Sequence, residues 1–449
     1  MAAFWSKLLG IQNLSSESKS LTSRYIILDL IRIFSFNMVS MFIVLYFLDT
    51  LTLLELGIIF AVGYIITALV DYPTGALGDA IGHKSVLVLA YAFHLVSTVL
   101  LLFSDTFFPL LIYNSLSAFA SSQESGALES WFDNGYRSLS ERLDPERSIY
   151  KAFQARRSVF VTISSGASFI TGGLIAQFLS RKMLFATFLL LIFVAFFLII
   201  TLMTRTKSKD SKITLSLYLQ QLSGGFRFFI SQKGIFLFFV GTTIIWAANL
   251  SIWYNFLLFP TYANYSGGTD ALTGLFRTLV FLSGAVWQLV IVKFISKVKR
   301  VKLWIFITTT LSNPVFFSIV YLYYLFVPPT HFDLVMFLSL FLIFQIPSIW
   351  ESLEFTLRSR LNLDLVPDEF RNSVYSLLPT LTTLIGIPGA AVGGFFIQTF
   401  GFTSGIFLTA ALSGLGALAV GLGVFFLPSL PIATQTISKK EVLSSTVSP

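Results

Sequence analysis

The sequence predicts an all-α membrane protein with twelve transmembrane helices in two pseudo-symmetric six-helix bundles. Three observations carry that prediction: an apolar composition, twelve apolar segments of spanning length, and an internal repeat. Of 449 residues, 55% are hydrophobic, only 12% are charged, and 49 are Phe. A soluble chain of this size cannot hide so much apolar surface, whereas a bilayer accepts it. The chain has no cysteine, which excludes disulfides, thiol catalysis and cysteine-based metal sites. Residues 1–24 carry charges and lack a cleavable apolar core, so they read as a cytoplasmic N-terminal segment rather than a signal peptide.

A spanning helix needs about 20 apolar residues. Segments of that kind run near 25–48, 52–71, 85–104, 107–132, 156–179 and 183–203, and again near 234–258, 271–294, 303–326, 333–356, 373–398 and 404–427. Backbone groups in lipid must be satisfied within the segment, so each is expected to be a helix. With the N-terminus inside, 26 of the 30 Lys and Arg fall on inside segments and only Arg181 and Lys182 fall outside. That asymmetry places both termini in the cytoplasm of a cell with a multi-pass plasma-membrane protein. It also accounts for the net charge of +8 through anionic lipid, with no call for nucleic acid.

The polar interruption at 204–233 carries Arg205, Lys207, Lys209 and Lys212 before an amphipathic run from Ile213 to Ile230. It reads as a cytoplasmic linker between an N-terminal half, 25–203, and a C-terminal half, 234–427. The Ser/Thr-rich stretch 428–449 reads as a disordered cytoplasmic tail.

The halves echo each other. Glu129-Ser130-Trp131 answers Glu351-Ser352-Leu353, and Asp144-Pro145-Glu146-Arg147-Ser148-Ile149-Tyr150 answers Pro367-Asp368-Glu369-Phe370-Arg371-Asn372-Ser373-Val374-Tyr375. Gly172-Gly173-Leu174-Ile175-Ala176-Gln177 answers Gly393-Gly394-Phe395-Phe396-Ile397-Gln398. The offsets are 222, 225 and 221 residues, and three matches in order at nearly one offset indicate a parallel repeat.

Between the second and third segments, Asp71-Tyr72-Pro73-Thr74 leads into Gly75-Ala76-Leu77-Gly78-Asp79-Ala80-Ile81-Gly82-His83-Lys84-Ser85. This stretch resembles the loop signature of the major facilitator superfamily, Gly-x-Leu-Ala-Asp-Arg-x-Gly-Arg-Lys. Gly75, Leu77, Asp79, Gly82 and Lys84 match, while Gly78, Ala80 and His83 depart. The reading expects a hinge loop, with Pro73 ending the preceding helix and Asp79 facing a helix N-terminus. The resemblance implies a monomeric transporter that rocks around a central site lined by helices 1, 4, 7 and 10. It also implies that helices 5 and 11 meet helices 8 and 2 where the halves slide, at glycines such as Gly166, Gly172, Gly173, Gly386, Gly389, Gly393 and Gly394.

Charges inside spanning segments are functional candidates by default. Asp29 and Arg32 share a face of the first segment, with Asn37 and Ser40 further along. Glu124 lies deepest of the acids in the fourth segment, on a stripe with Asn114, Ser117 and Ser121, and is expected to be isolated and to carry a coupling proton. The seventh segment presents Thr242, Trp246, Asn249 and Trp253, and the tenth presents Gln345, Ser348 and Ser352 with Glu351 alongside. Together Asp29, Arg32, Asn37, Glu124, Trp246, Asn249, Gln345 and Glu351 form the expected substrate and proton site. Asp71, Gly75, Asp79, Gly82, Lys84, Glu129, Asp133 and Arg371 form the expected gate, with Arg137, Arg156 or Arg157 answering Glu129 and Asp133, and Arg371 answering Asp79. His94 reads as a packed neutral side chain, and Arg277 either snorkels or attracts an anion.

Three scattered histidines argue against a metal site, and no G-x-x-x-x-G-K-[ST] loop, HExxH or Ser-His-Asp set appears. The expectation is therefore no enzyme and no cofactor. It is a secondary active permease for a small molecule, coupled to protons and surrounded by lipid. Its resemblance to prokaryotic permeases favours efflux of drugs or metabolites. Proton-coupled import of a nutrient or ion is the alternative within transport, and a non-transporting membrane sensor or lipid scramblase is the alternative outside it.

Overall fold

The computed structural model describes residues 2–124, 126–204, 230, 232–295, 298, 300–365 and 368–427; the side chains of 2–5, 71–80, 292–293, 359–360, 362–365 and 368–378 lie outside that description. The expected linker helix and C-terminal tail fall on residues outside it. Among the described residues every regular element is a helix. After a short α1 (Ala2–Leu9), α2 (Ser16–Thr50), α3 (Leu53–Ile81) and α4 (His83–Phe103) cross in turn. The fourth crossing is split into α5 (Phe107–Glu124) and α6 (Ala127–Ser140), followed by α7 (Ser148–Phe178) and α8 (Arg181–Leu202). The second half comprises α9 (Lys233–Tyr265), α10 (Asp270–Ile295) and α11 (Val301–Phe326), the pair α12 (Leu334–Ile343) and α13 (Gln345–Leu365), then α14 (Asp368–Phe400) and α15 (Phe402–Phe426).

Eleven described helices are long and apolar enough to span a bilayer. The remaining crossing is α5, whose Asn, Ser, Gln and Glu side chains lower its hydropathy because it carries a polar face. Twelve crossings bring Ser16 and Phe426 to one face, which also gathers the basic even-numbered connections and is called the basic face below.

The sequence and the structure differ at three places. The stretch read as a hinge loop is helical: α3 runs through Pro73 to Ile81, and only Gly82, at φ 85, breaks the chain before α4. Pro73 therefore does not end the helix. The first helix begins at Ser16, nine residues earlier than its apolar run, because the Ser15 hydroxyl accepts from Ser18 N at 3.1 Å and caps it. The fourth segment breaks at Gly126, whose φ of 72 lies in the left-handed region that favours glycine.

Prolines and π-helical turns shape two further helices. In α9 a π-helical stretch, Asn249–Leu257, precedes Pro260, and in α11 another surrounds Pro314. The wider turn relieves the carbonyl that proline leaves without a donor. On the connection before α7, burial alone would raise the Asp144 carboxyl. The N–H groups of Tyr150 and Ile149 and the hydroxyls of Tyr136 and Ser148 outweigh it and hold the group below the ordinary carboxylate value. This is the structural content of the Asp-Pro-Glu-Arg-Ser-Ile-Tyr motif; its echo at 367–375 falls where side chains are not described.

The two halves meet along two crossings, α3 on α14 and α7 on α10. Each is a glycine contact near the face opposite the basic one. A Cβ on Gly173 would stand 3.2 Å from Gly274 Cα and 2.7 Å from Asp270 O; one on Gly394 would stand 3.2 Å from Gly57 Cα and 2.3 Å from Leu53 O. Glutamines seal both crossings: Gln177 Oε1 accepts from Asp270 N at 2.9 Å, and Gln398 Oε1 accepts from Leu54 N at 2.8 Å. The repeated Gly-Gly-x-x-x-Gln motif thus performs the same task twice, with glycines admitting the neighbouring backbone and glutamine binding the free N-terminus of the helix it meets. Arg181 adds an ion pair across the halves, through two bonds to Asp270 at 2.7 and 3.0 Å and a third to Asp49. Deeper in, Asn255 donates to Tyr64 Oη at 3.0 Å, Tyr64 to Leu250 O at 3.2 Å, and Thr278 to Gly166 O at 3.0 Å. Among the described residues no hydrogen bond or ion pair joins the halves on the basic side of these contacts.

Gly394→Ala and Gly173→Ala should therefore favour separation at the opposite face. Because the chain lacks cysteine, Ser348→Cys gives a single cavity probe. A membrane-impermeant maleimide supplied only to the opposite face should label it slowly in the parent chain and several-fold faster with either alanine. Equal rates would show that the glycine crossings do not hold this face closed.

Candidate functional site

The sequence candidates separate into two groups. The first is an ion network in the N-terminal half. Asp29 is fully buried and receives Arg32 Nη2 at 2.8 Å and Arg157 Nε at 2.6 Å. Arg32 Nη2 also reaches Glu129 Oε1 at 3.1 Å, and Arg32 Nη1 lies 3.8 Å from Glu124 Oε1. Arg157 Nη2 lies 3.6 Å from Glu129. In an unbroken helix, residues five apart point about 140° away from each other. The break at Gly126 brings Glu124 and Glu129 to the same guanidinium.

Glu124 is therefore not isolated, contrary to expectation. Tyr91 donates to its Oε1 at 3.3 Å, and His94 Nε2 lies 3.3 Å from its Oε2, close enough for charge but not at a hydrogen-bonding angle. His94 is packed, as the sequence suggested, but against an acid. Asn37 leaves the network: its amide donates to Ser165 Oγ at 2.8 Å and ties α2 to α7.

The second group lines two adjoining cavities in the C-terminal half. A larger one, about 710 Å³, holds Trp246, Asn249, Gln288, Glu351, Glu354 and Arg358, and reaches Ile295 toward the basic face. A deeper one, about 280 Å³, holds Tyr262, Arg277, Phe344 and Ser348. Asn249, Tyr254, Gln288, Glu351 and Ser352 line both. The π-helical turn lets Asn249 and Tyr254, five residues apart, face one space. Asn249 also donates to Asn313 Oδ1 at 3.0 Å. Trp253 packs in an aromatic cluster with Phe316, Phe317 and Phe344, and Thr242 is buried with its hydroxyl on Phe238 O. Gln345 lines neither cavity; its Oε1 accepts from Trp287 Nε1 at 3.0 Å.

Two residues of this region were not singled out by the sequence. Arg358, counted there with the basic connections, is 6% exposed inside α13 and forms an ion pair with Glu354, which also accepts from Ser312 Oγ at 2.7 Å. Their spacing, i to i+4 on a helix, was the available signal. Glu351 differs from Asp29, Glu124, Glu129 and Glu354: among the described residues no cation pairs with it.

The expected gate is partly outside the described side chains. Asp71, Gly75 and Asp79 lie on the helical backbone of α3, and Arg371 on α14, so the approach of Asp79 to Arg371 is not described. Gly82 supplies the turn into α4, and Lys84 donates to Ile200 O at 2.6 Å and Met203 O at 2.7 Å, capping the end of α8. Asp133 pairs with Arg137 at 2.8 Å and with Arg147, whereas Arg156 donates to the Lys7 and Leu8 carbonyls of α1.

Solved structures of the same shape exist. A nucleoside transporter, NupG, superposes with a TM-score of 0.72 at 15% identity over 91% of this chain and 100% of its own. The chain shares the fold of this transporter. A POT family transporter in complex with 5-aminolevulinic acid gives 0.64 at 14% identity over 91% and 96%, and a D-xylose-proton symporter gives 0.63 at 13% over 92% and 98%. No known family's sequence profile matches the chain, and no curated protein matches it. At such identities the likeness is one of fold, reached through helix lengths and crossings rather than through shared side chains.

Removing Arg32 should test the network. Arg32→Gln leaves Asp29 and Glu129 to Arg157 and leaves Glu124 with no arginine within ion-pair reach, a change that costs about 3–5 kcal/mol when a buried partner is lost. The melting temperature in detergent should fall clearly, and adding Asp29→Asn should restore part of the loss. No fall would mean that Arg32 is not the charge that holds these acids.

Proposed function

We propose that this chain is a proton-coupled secondary active transporter of a small solute, with the coupling proton carried on Glu351. The observation that carries the reading is the contrast among its membrane acids. Asp29, Glu124 and Glu354 each have an arginine within ion-pair reach, and Glu351, exposed to the cavity, has none among the described residues. An ionised carboxylate without a counter-charge is expensive inside a membrane protein, and a proton is the smallest counter-charge available. Glu351 is thus preferred to Glu124, which lies within reach of Arg32.

The cavity reaches toward the basic face, and the contacts at the opposite face close it. The positive-inside asymmetry supports a cytoplasmic assignment for the basic face, so the form described is inward-facing. Breaking the two glycine crossings and making contacts at the basic face would expose the same cavity to the other side, which is alternating access by rocking. Superposition on three solved transporters, one described as a proton symporter, supports this reading of the movement. Efflux requires that proton and solute displace each other, and import that they travel together.

A thermal-shift screen of metabolites and drugs supplies the solute. In liposomes, Glu351→Gln should keep solute binding and counterflow exchange but lose accumulation driven by a pH step. If Glu351→Gln accumulates solute like the parent and Glu124→Gln does not, the coupling proton sits in the N-terminal network.

A further inference from the structure

Arg277 stands two turns into α10, within the stretch long and apolar enough to span a bilayer. Every other described arginine of the membrane interior answers an acid: Arg32 three of them, Arg157 two, Arg358 one. Arg277 answers none among the described residues. Its Nη1 makes a long hydrogen bond to Tyr262 Oη at 3.4 Å, and its Nε is buried without a partner among the described residues. Aromatic rings supply the rest of its surroundings, with Phe169 at 5.2 Å and Phe259 and Tyr262 at 6.0 Å from the guanidinium carbon. Cation–π contact offsets part of the cost of burying the charge, but it satisfies no N–H. The guanidinium nevertheless lines the deep cavity, whose other walls include Trp253, Phe316, Phe317 and Phe344. A guanidinium on the wall of an aromatic slot, with donors to spare and no acid among the described residues to take them, is a recognition element for a carboxylate or phosphonate.

We infer that the solute is a small organic anion, a carboxylate or phosphonate on a flat apolar body, bound by Arg277 with its body among the aromatic rings of the deep cavity. The volume of about 280 Å³ suits a single ring with its charged group, and the adjoining 710 Å³ leaves room for a larger substituent. This rests on the transporter reading above and adds to it both a substrate class and a direction. Glu351 lines the same deep cavity as Arg277, so each lies in the other's field although they do not touch. An anion that occupies Arg277 withdraws that positive field from Glu351 and sets a second negative charge beside it. Glu351 then takes up a proton, and by linkage a proton on Glu351 tightens the anion. Proton and solute bind together, which is symport rather than efflux by exchange.

Equilibrium binding in detergent, without any membrane or pH gradient, tests the inference separately from transport. Benzoate, phenylphosphonate, neutral benzamide and cationic benzylamine serve as probes, and the two anions distinguish carboxylate from phosphonate recognition. The parent chain should be stabilised thermally by at least one anion and not by benzamide or benzylamine. Arg277→Met, which keeps the apolar stem, should weaken that anion by about ten- to hundredfold, and Arg277→Lys should recover part of it. Unchanged melting of the unliganded variants and a single gel-filtration peak show that they fold; a variant that does not fold is replaced by Arg277→Gln. Equal shifts from benzamide and benzoate, no shift from either anion, or an anion shift that survives in Arg277→Met would each overturn the inference. Any of these would leave proton coupling through Glu351 standing, because that reading is judged by accumulation in liposomes.

Discussion

A charge placed inside a bilayer must be matched within the protein, and that constraint organises this molecule. Where charges are structural, the match is complete. Arg32 and Arg157 hold Asp29 and Glu129 between α2, α6 and α7; Arg358 holds Glu354; Arg181 holds Asp270 across the two halves. The pairs between helices fix them to one another at positions where slipping would strand a charge. Where the match is missing, at Glu351 and Arg277, the two side chains share a cavity and leave a place for a mobile counter-charge of each sign. A proton fits one and an anionic solute fits the other.

The repeat supplies the mechanics around that cavity. Gly173 on Gly274 and Gly394 on Gly57 let two helix pairs approach to backbone contact, and Gln177 and Gln398 bind the N-termini thereby exposed. Such contacts close tightly yet involve few atoms, so they can be exchanged for contacts at the other face at small net cost. A larger interlocking interface of branched side chains would hold one state too firmly for a carrier.

Much of this was legible in the sequence, and the gaps have physical causes. Apolar length gave all twelve crossings, and the Gly-Gly-x-x-x-Gln repeat marked the residues that seal the opposite face, although not what they do. Helix continuity was misjudged near Pro73 and Gly126. Proline's local preference yields to a helix embedded among others, whereas a left-handed glycine interrupts a segment whose apolar pattern runs on without change. Glu124 was expected to stand alone because only its own helix could be inspected; Arg32 and His94 come from other helices, and no spacing rule reports contacts between helices. Arg277 and Glu351 were both recognised as charges within spanning segments. Their lack of partners among the described residues is a property of the assembled bundle, which no helix read alone reports.

The central claim is that one cavity couples an anion at Arg277 to a proton at Glu351. The most direct measurement is proton exchange on binding, read with a pH indicator in weakly buffered detergent solution as benzoate or phenylphosphonate is added to the purified chain. The account predicts that protons are taken up as the anion binds, approaching one per anion bound, and that Glu351→Gln binds the anion without uptake. Proton release on binding, or uptake that persists unchanged in Glu351→Gln, would contradict it.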